Sequence, residues 1–280
     1  MDIYLASERA YQLIPQISLE VARDRLEQKK TSLVTGMLGA LIARPKPDDI
    51  QIVSFESRME AFWLISVFVH TVYERSQTYT ISVRGKEVHH VTTLGQDLPV
   101  NTKANGDSSF SLAGVEHCVE EIRQNYTFDG SGKKMDLSKY QSYAKTEIAD
   151  LGQFSPVGVL VVPPEAHAST VVRAVLAEVI KPVQAQVIHE EKVTVEALDI
   201  NFRPVYAFEY EWVPKGKRVV LEFDGLTGEV HTGGKKMNDQ IKGMITRDLI
   251  FDVTADAVGL IVPGGSIAVK LVKAVVDRGK

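Results

Sequence analysis

Residues 205–224 read Val-Tyr-Ala-Phe-Glu-Tyr-Glu-Trp-Val-Pro-Lys-Gly-Lys-Arg-Val-Val-Leu-Glu-Phe-Asp. Tyr206, Phe208, Tyr210 and Trp212 alternate with Val205, Ala207, Glu209 and Glu211. Period two therefore puts all four aromatics on one face of a strand and the acids on the other. Pro214-Lys215-Gly216-Lys217 marks a turn, and Val219, Leu221 and Phe223 share one face of a return strand. Asp224-Gly225 opens a further turn that Gly228 closes. The stretch predicts an antiparallel meander with one buried and one wetter face.

A similar order occurs upstream. Lys46-Pro-Asp-Asp-Ile-Gln-Ile-Val53 matches Lys181-Pro-Val-Gln-Ala-Gln-Val-Ile188. Each follows an apolar segment of helical character, residues 33–43 and 170–180. Each precedes β-like runs (62–73 and 79–83; 204–213 and 218–223) and a Glu-Val-His tripeptide, at 87–89 and 229–231. Matched landmarks in the same order predict an internal duplication. The expected fold class is α+β: duplicated helix plus antiparallel β-meander units in a pseudo-twofold arrangement, with extra helices between them and at the C-terminus. The expected organisation is a first repeat with an N-terminal helix at 1–100, a helical and loop connector at 101–155, a second repeat at 156–235 and a helical tail at 236–280.

Helices are expected elsewhere too. Ser18 is placed to cap a helix over 19–30, with Ile17 stapling against Ala22. Val115, Val119, Ile122 and Tyr126 fall on one stripe of a predicted helix, which also carries Cys118. A polar helix is expected over 136–150 and a short strand over 157–162. Residues 95–114 and 128–135 read as loops.

The hairpin and the segment Asp224-Gly-Leu-Thr-Gly228-Glu-Val230 resemble the ending of PepSY-type modules, over residues 170–231. The resemblance implies a cystatin-like helix-on-sheet fold and an association with peptidase regulation, and it carries no catalytic residues over. The first copy departs from the pattern, having Arg84-Gly85-Lys86-Glu87 in place of Asp-x-x-Thr-Gly.

Composition is that of an ordinary globular chain: 280 residues, 44% hydrophobic, 24% charged, net charge −4. The negative balance argues against a duplex-DNA binder. Asp2, Glu8 and Arg9 interrupt any apolar run at the start, so no secretory signal is expected. The single cysteine, Cys118, forbids an intrachain disulfide. Together these suggest a cytoplasmic setting.

Several constellations bear on function. The four aromatics Tyr206, Phe208, Tyr210 and Trp212 are either core or a ligand platform. Gly-Lys-Lys-Met occurs twice, and Lys133, Lys134, Lys235 and Lys236 at helix starts would hold an anion. Glu87 with His89, and Glu229 with His231, would form a two-His, two-carboxylate metal site if a twofold brought the copies face to face. His189 and Glu191 form a similar same-face pair. Residues 266–280 read as a cationic amphipathic helix that packs on its own domain, lies on a membrane surface or docks on a partner. No cofactor motif and no nucleophile elbow occurs. The expected function is a non-catalytic binding or regulatory protein, taking a protein partner or a small apolar ligand through the helix-on-sheet units. Alternatives are a metal-assisted hydrolase using the Glu-Val-His ends, and a membrane-surface adaptor.

Overall fold

A computed structural model describes residues 1–43, 45–233, 246–253 and 270–273. The described elements run β1 (Asp2–Leu5), β2 (Glu8–Leu13), α1 (Leu19–Ala43), β3 (Ile50–Val83), β4 (His90–Thr93), β5 (Gln96–Pro99), β6 (Asn101–Thr102), β7 (Ser108–Asp129), β8 (Lys145–Glu147), β9 (Leu160–Val162), α2 (Ala168–Val179), β10 (Val187–Trp212), β11 (Lys217–Asp224), β12 (Val230–Thr232), α3 (Arg247–Ile250) and β13 (Lys270–Lys273). All of these strands but the β4–β5 hairpin join one mixed sheet.

Three long strands form the frame. β3 spans 34 residues, β10 spans 26 and β7 spans 22. β3 pairs antiparallel with β10 from Ile50↔Trp212 to Glu74↔Val187, and with β7 from Phe62↔Asp129 to Val83↔Ser108. The far edge of β10 is covered in succession by β1 and β2, both parallel to it, and by antiparallel β11. Bulges at Val53, His189 and Glu196 shift the register. They also shift which residues point inward. Val193 and Val195 face the helices before the Glu196 bulge, and Leu198, Ile200 and Phe202 face them after it.

Both long helices pack on one face. Val171, Val172, Val175 and Leu176 of α2 are fully buried against Trp63, Ile65, Val67 and Phe202. The Trp63 indole donates to Ala166 O (3.1 Å) and meets Phe251 edge-on. Under α1, Ala22, Leu26 and Val34 cover Ile50, Tyr206, Phe208, Tyr210, Trp212, Leu221 and Phe223. Ser18 Oγ accepts from Val21 N (3.4 Å), as a cap should. The helical geometry breaks at Gly36, with φ +72°, where glycine carries no steric penalty. A smaller cluster, Leu13, Phe62, Leu137, Tyr140 and Leu226, lies on the other face.

The duplicated α+β fold is therefore overturned: the protein is mostly β, with one large mixed sheet and three helices among the described residues. The two matched segments are not separate units. They supply neighbouring strands, β3 and β10, and the chain continues differently beyond each. β10 turns at Val213–Lys215, where Gly216 adopts φ +58°. β3 has no turn over residues 74–78, because β7 accompanies it and pairs its charges, Arg75 with Glu116 and Glu74 with His117. The helix expected over 115–126 is part of β7. Its helical stripe splits, with Ile122 packing on the core and Val115 and Val119 exposed. The helix expected over 136–150 is a 3-10 turn at Ser138–Ser142 followed by β8. In the predicted C-terminal helix, 270–273 is strand β13, paired parallel with β1, and the rest of that segment lies outside the described residues. No described helix is long and apolar enough to cross a membrane.

Leu176 is fully buried and Leu94 is 82% exposed. Leu176→Ala should cost about 2–5 kcal/mol in urea denaturation, and Leu94→Ala less than about 0.5 kcal/mol.

Candidate functional site: an acid-lined cleft on the open face

Strand alternation sends Glu56, Arg58, Glu60 and Phe62 of β3 to the face opposite the helices. Arg203 of β10 and Glu222 and Asp224 of β11 join them there. The chain leaving β7 then folds over this face through residues 129–143, held by the buried Leu137 and Tyr140. Between sheet and segment lies a cleft of about 420 Å³. Ala61, Phe62, Leu137, Val162 and Pro163 supply its apolar surface. Six carboxylates line it (Glu60, Asp129, Asp136, Glu165, Glu222 and Glu229) against two permanent cations, Lys139 and Arg203, with His231 at its wall.

The walls are locked by two charge clusters. Arg58, whose side chain is fully buried, donates to Glu56 (2.9 and 3.0 Å) and Glu222 (3.1 Å). Arg203 donates to Asp224 (2.6 Å), Glu60 (2.9 Å) and the Tyr140 hydroxyl (3.0 Å), and Tyr140 itself donates to Asp224. Asp224 further accepts from the backbone N–H groups of Leu226 (2.8 Å) and Thr227 (2.9 Å), which fixes the turn after β11. Burial works against charge on Asp224, yet the Tyr140 hydrogen bond, the Thr227 and Leu226 N–H groups and the Arg203 charge together hold its carboxyl below the usual range. Burial and the Asp224 carboxylate push the Tyr140 hydroxyl well above ordinary phenols. Arg203 stays charged despite burial, because Glu60, Tyr140 and Asp224 raise its affinity for the proton.

The residues singled out from the sequence are dispersed. Tyr206, Phe208, Tyr210 and Trp212 are buried beneath α1, where Tyr206 donates to Ile17 O (2.8 Å) and Tyr210 to Glu27 (3.2 Å). They form core, and α1 covers the face that a platform would present. Lys133 and Lys134 sit in the turn after β7, not at a helix start. There Lys134 is bound to Glu178 (2.7 and 2.8 Å) and lies over the Tyr126 ring. Lys235 and Lys236 lie outside the described residues. Glu229 and His231 are at the cleft, with Glu229 paired to Lys139. Glu87 and His89 are beyond the far end of β3, past Val83, so the two Glu-Val-His segments do not face each other. His189 sits at a bulge and binds Glu74 (2.9 Å), apart from Glu191. Among the described residues no group of three or more His, Cys, Asp or Glu is disposed to hold a metal.

The clusters around Arg58 and Arg203 escaped the sequence reading. Their trace is the alternation Glu56-x-Arg58-x-Glu60 on β3 and Glu222-x-Asp224 on β11, two strands apart, with Arg58 itself and Arg203 of the intervening β10 as the cations between the acids.

Asp224 is held below the ordinary aspartate value of about 3.9, so its ionisation stabilises the fold fully above about pH 4 and that contribution is lost as pH falls through the lower folded value. Asp224→Asn should cost about 3–5 kcal/mol at pH 7, as expected for breaking a buried pair, and less at pH 3. Urea midpoints at the two pH values measure this, and an equal cost at both would contradict the assignment.

No family model, no curated protein and no solved structure matches this chain.

Proposed function

We propose that this chain is a non-catalytic binding protein whose cleft takes a small organic cation, an amine or guanidinium on a short apolar body. The observation that carries the reading is the charge of the cleft, six carboxylates against Lys139 and Arg203. Arg203 holds Glu60, Lys139 holds Glu229 (2.5 Å) and Arg58 in the wall holds Glu222, so even with three cations set against the six carboxylates the acids are in surplus and offer a guest a net negative field. Its volume falls in the ordinary range for small-molecule sites, roughly 300–1,000 Å³. The apolar stretch of Phe62, Leu137, Val162 and Pro163 would cover a ligand's carbon chain.

A binding role also fits how the polar groups are spent. Asp129 accepts from Ser131 and the Lys133 N–H, Asp136 from Ser138, and Glu222 from Arg58. These bonds hold the walls in place and leave the cleft's shape preorganised. The helix–sheet interfaces offer an apolar ligand less: Val171, Val172, Val175 and Leu176 are fully buried against the sheet. This moves the expected ligand site from that interface to the opposite face.

Agmatine, with one amine and one guanidinium, is a suitable probe for calorimetric titration of the full chain. It should bind, weaken as salt rises, and lose about tenfold in affinity, near 1.4 kcal/mol, in the double variant Glu165→Gln, Glu229→Gln. An absence of heat with both agmatine and spermidine, or tighter binding of glutamate than of agmatine, would sink the reading.

A further inference from the structure

Among the described residues no strand pairs with the outer edge of β7 between Phe110 and Tyr126, although β5 comes near β7 without pairing to it. β6 pairs only with Ser108 and Ser109, and the chain after the strand returns only as far as Thr127. Long open edges are templates for another strand, and proteins blunt them with charged side chains, lysine above all, with proline or with bulges. β7 has no lysine and no proline, its pairing with β3 runs without a register shift, and its charges Glu116, Glu121 and Arg123 are engaged by Arg75, His70 and Glu196.

The side chains on the open face show what the edge fits. Three rows cross β10, β3 and β7 there. One runs Lys192, His70, Glu121, with His70 3.3 Å from Glu121. The next runs Glu190, Val72, Val119. The third pairs Glu74 with His117 (3.1 Å between side chains), and His189, the bulged residue of β10, reaches the same carboxylate at 2.9 Å. At the two strands nearest the edge an imidazole meets a carboxylate in each outer row, His70 with Glu121 and Glu74 with His117, and the middle row ends on two valines. The rows stop at the open edge on Glu121, Val119 and His117, and Val119 is 65% exposed.

We propose that β7 pairs antiparallel with β7 of a second copy about a twofold axis through Val119, giving an isologous dimer with one continuous sheet. A twofold perpendicular to the sheet keeps each face on its own side and pairs residues equidistant from the axis. Glu121 then opposes His117 of the other copy, His117 opposes Glu121, and Val119 meets Val119. Each outer row then meets its counterpart carboxylate against imidazole at the seam, and the apolar row becomes four valines wide. The register pairs Ala113 with Asn125 at its limits, inside the open stretch. Moving the axis one residue to Cys118 would set Glu116 against Glu120, and moving it to Glu120 would set His117 against Arg123. Opposed like charges disfavour both.

Sedimentation and cross-linking of the full chain test this. The wild-type protein should sediment as twice its 31.0 kDa mass. Val119→Lys, a change at an exposed position that sets two cations face to face, should give a folded monomer. In a Cys118→Ser background, Val119→Cys should oxidise to a disulfide-linked dimer, since directly opposed residues sit about 4.5–5.5 Å apart, within disulfide reach. Val115→Cys should not, because its twin would lie eight residues along the strand, about 26 Å away. A single-chain mass for the wild type at about 100 µM, about a hundred-fold above the micromolar weak end of standard-size interfaces, overturns the proposal and leaves the edge to a strand of another protein. So does cross-linking at residue 115 as fast as at residue 119.

Discussion

Every residue of a 34-residue strand brings backbone groups that need partners, and no single neighbour is long enough to supply them. The stagger of β10 and β7 along β3 is the answer on which the rest of the architecture depends. Residues 62–74 of β3 are paired on both sides and form the buried centre, with Trp63, Ile65 and Val67 fully enclosed. Residues 50–57 are paired only with β10. That half extends through β11 and β12 and lies under α1. Residues 75–83 are paired only with β7, so the ribbon runs on beyond β10. Its residues lose apolar burial and take up charge, as Arg75, Glu116 and Tyr79 show.

The same stagger sets the two faces. Helices cover one face along the paired centre and the β10–β11 half. Among the described residues the 129–143 segment covers only part of the opposite face, so polar side chains from four strands converge there instead of a second apolar layer. Burying Arg58 and Arg203 is costly unless each is met by carboxylates at short range. Glu56 and Glu222 meet the first, and Glu60 and Asp224 the second. The sheet thus holds its own charges fixed, and the segments after β7 and β9 bring Asp136 and Glu165 to the same cleft.

Legibility tracks locality. The β10–β11 hairpin is readable because its aromatics alternate without interruption from Tyr206 to Trp212 and a proline–glycine turn comes next. The helices at 19–43 and 168–179 are readable from a cap and an apolar stripe. β7 is not, because Val115, Val119, Ile122 and Tyr126 satisfy a helical spacing, and only the neighbouring β3 decides for strand. The bulges at Val53 and Glu196 hide more. Each switches the inward parity within a strand, so a fixed period fails across it. Ile50 and Ile52 share a face with Phe55 only because of such a switch. The Arg58 and Arg203 clusters join residues far apart in the chain, Arg58 with Glu222 and Arg203 with Glu60, and no local pattern announces which charges will be buried together. The apparent duplication fails for a related reason. Similar local stretches suggest similar units, whereas pairing to each other makes them two strands of one sheet.

The cleft and the open edge occupy one face of that sheet. Glu56, Arg58 and Glu60 lead along β3, on the same side, to His70, Val72 and Glu74, with no bulge in β3 between them. About twelve residues, or ~40 Å of strand, separate the cleft from the row through Val72. Pairing about Val119 would therefore leave both clefts open to the same side of a continuous sheet, with α1 and α2 of each copy on the other. The acid-lined walls would flank an alternating histidine–carboxylate band whose charges are already matched, so association would place no new unpaired charge between the two cation sites. A twofold axis lying in the plane of the sheet would instead set the clefts on opposite sides and oppose residues of opposite facing, which the alternation of His117, Val119 and Glu121 disfavours. The face that carries the charge and the edge that carries the strand are for that reason governed together, by the alternation along β3 and β7.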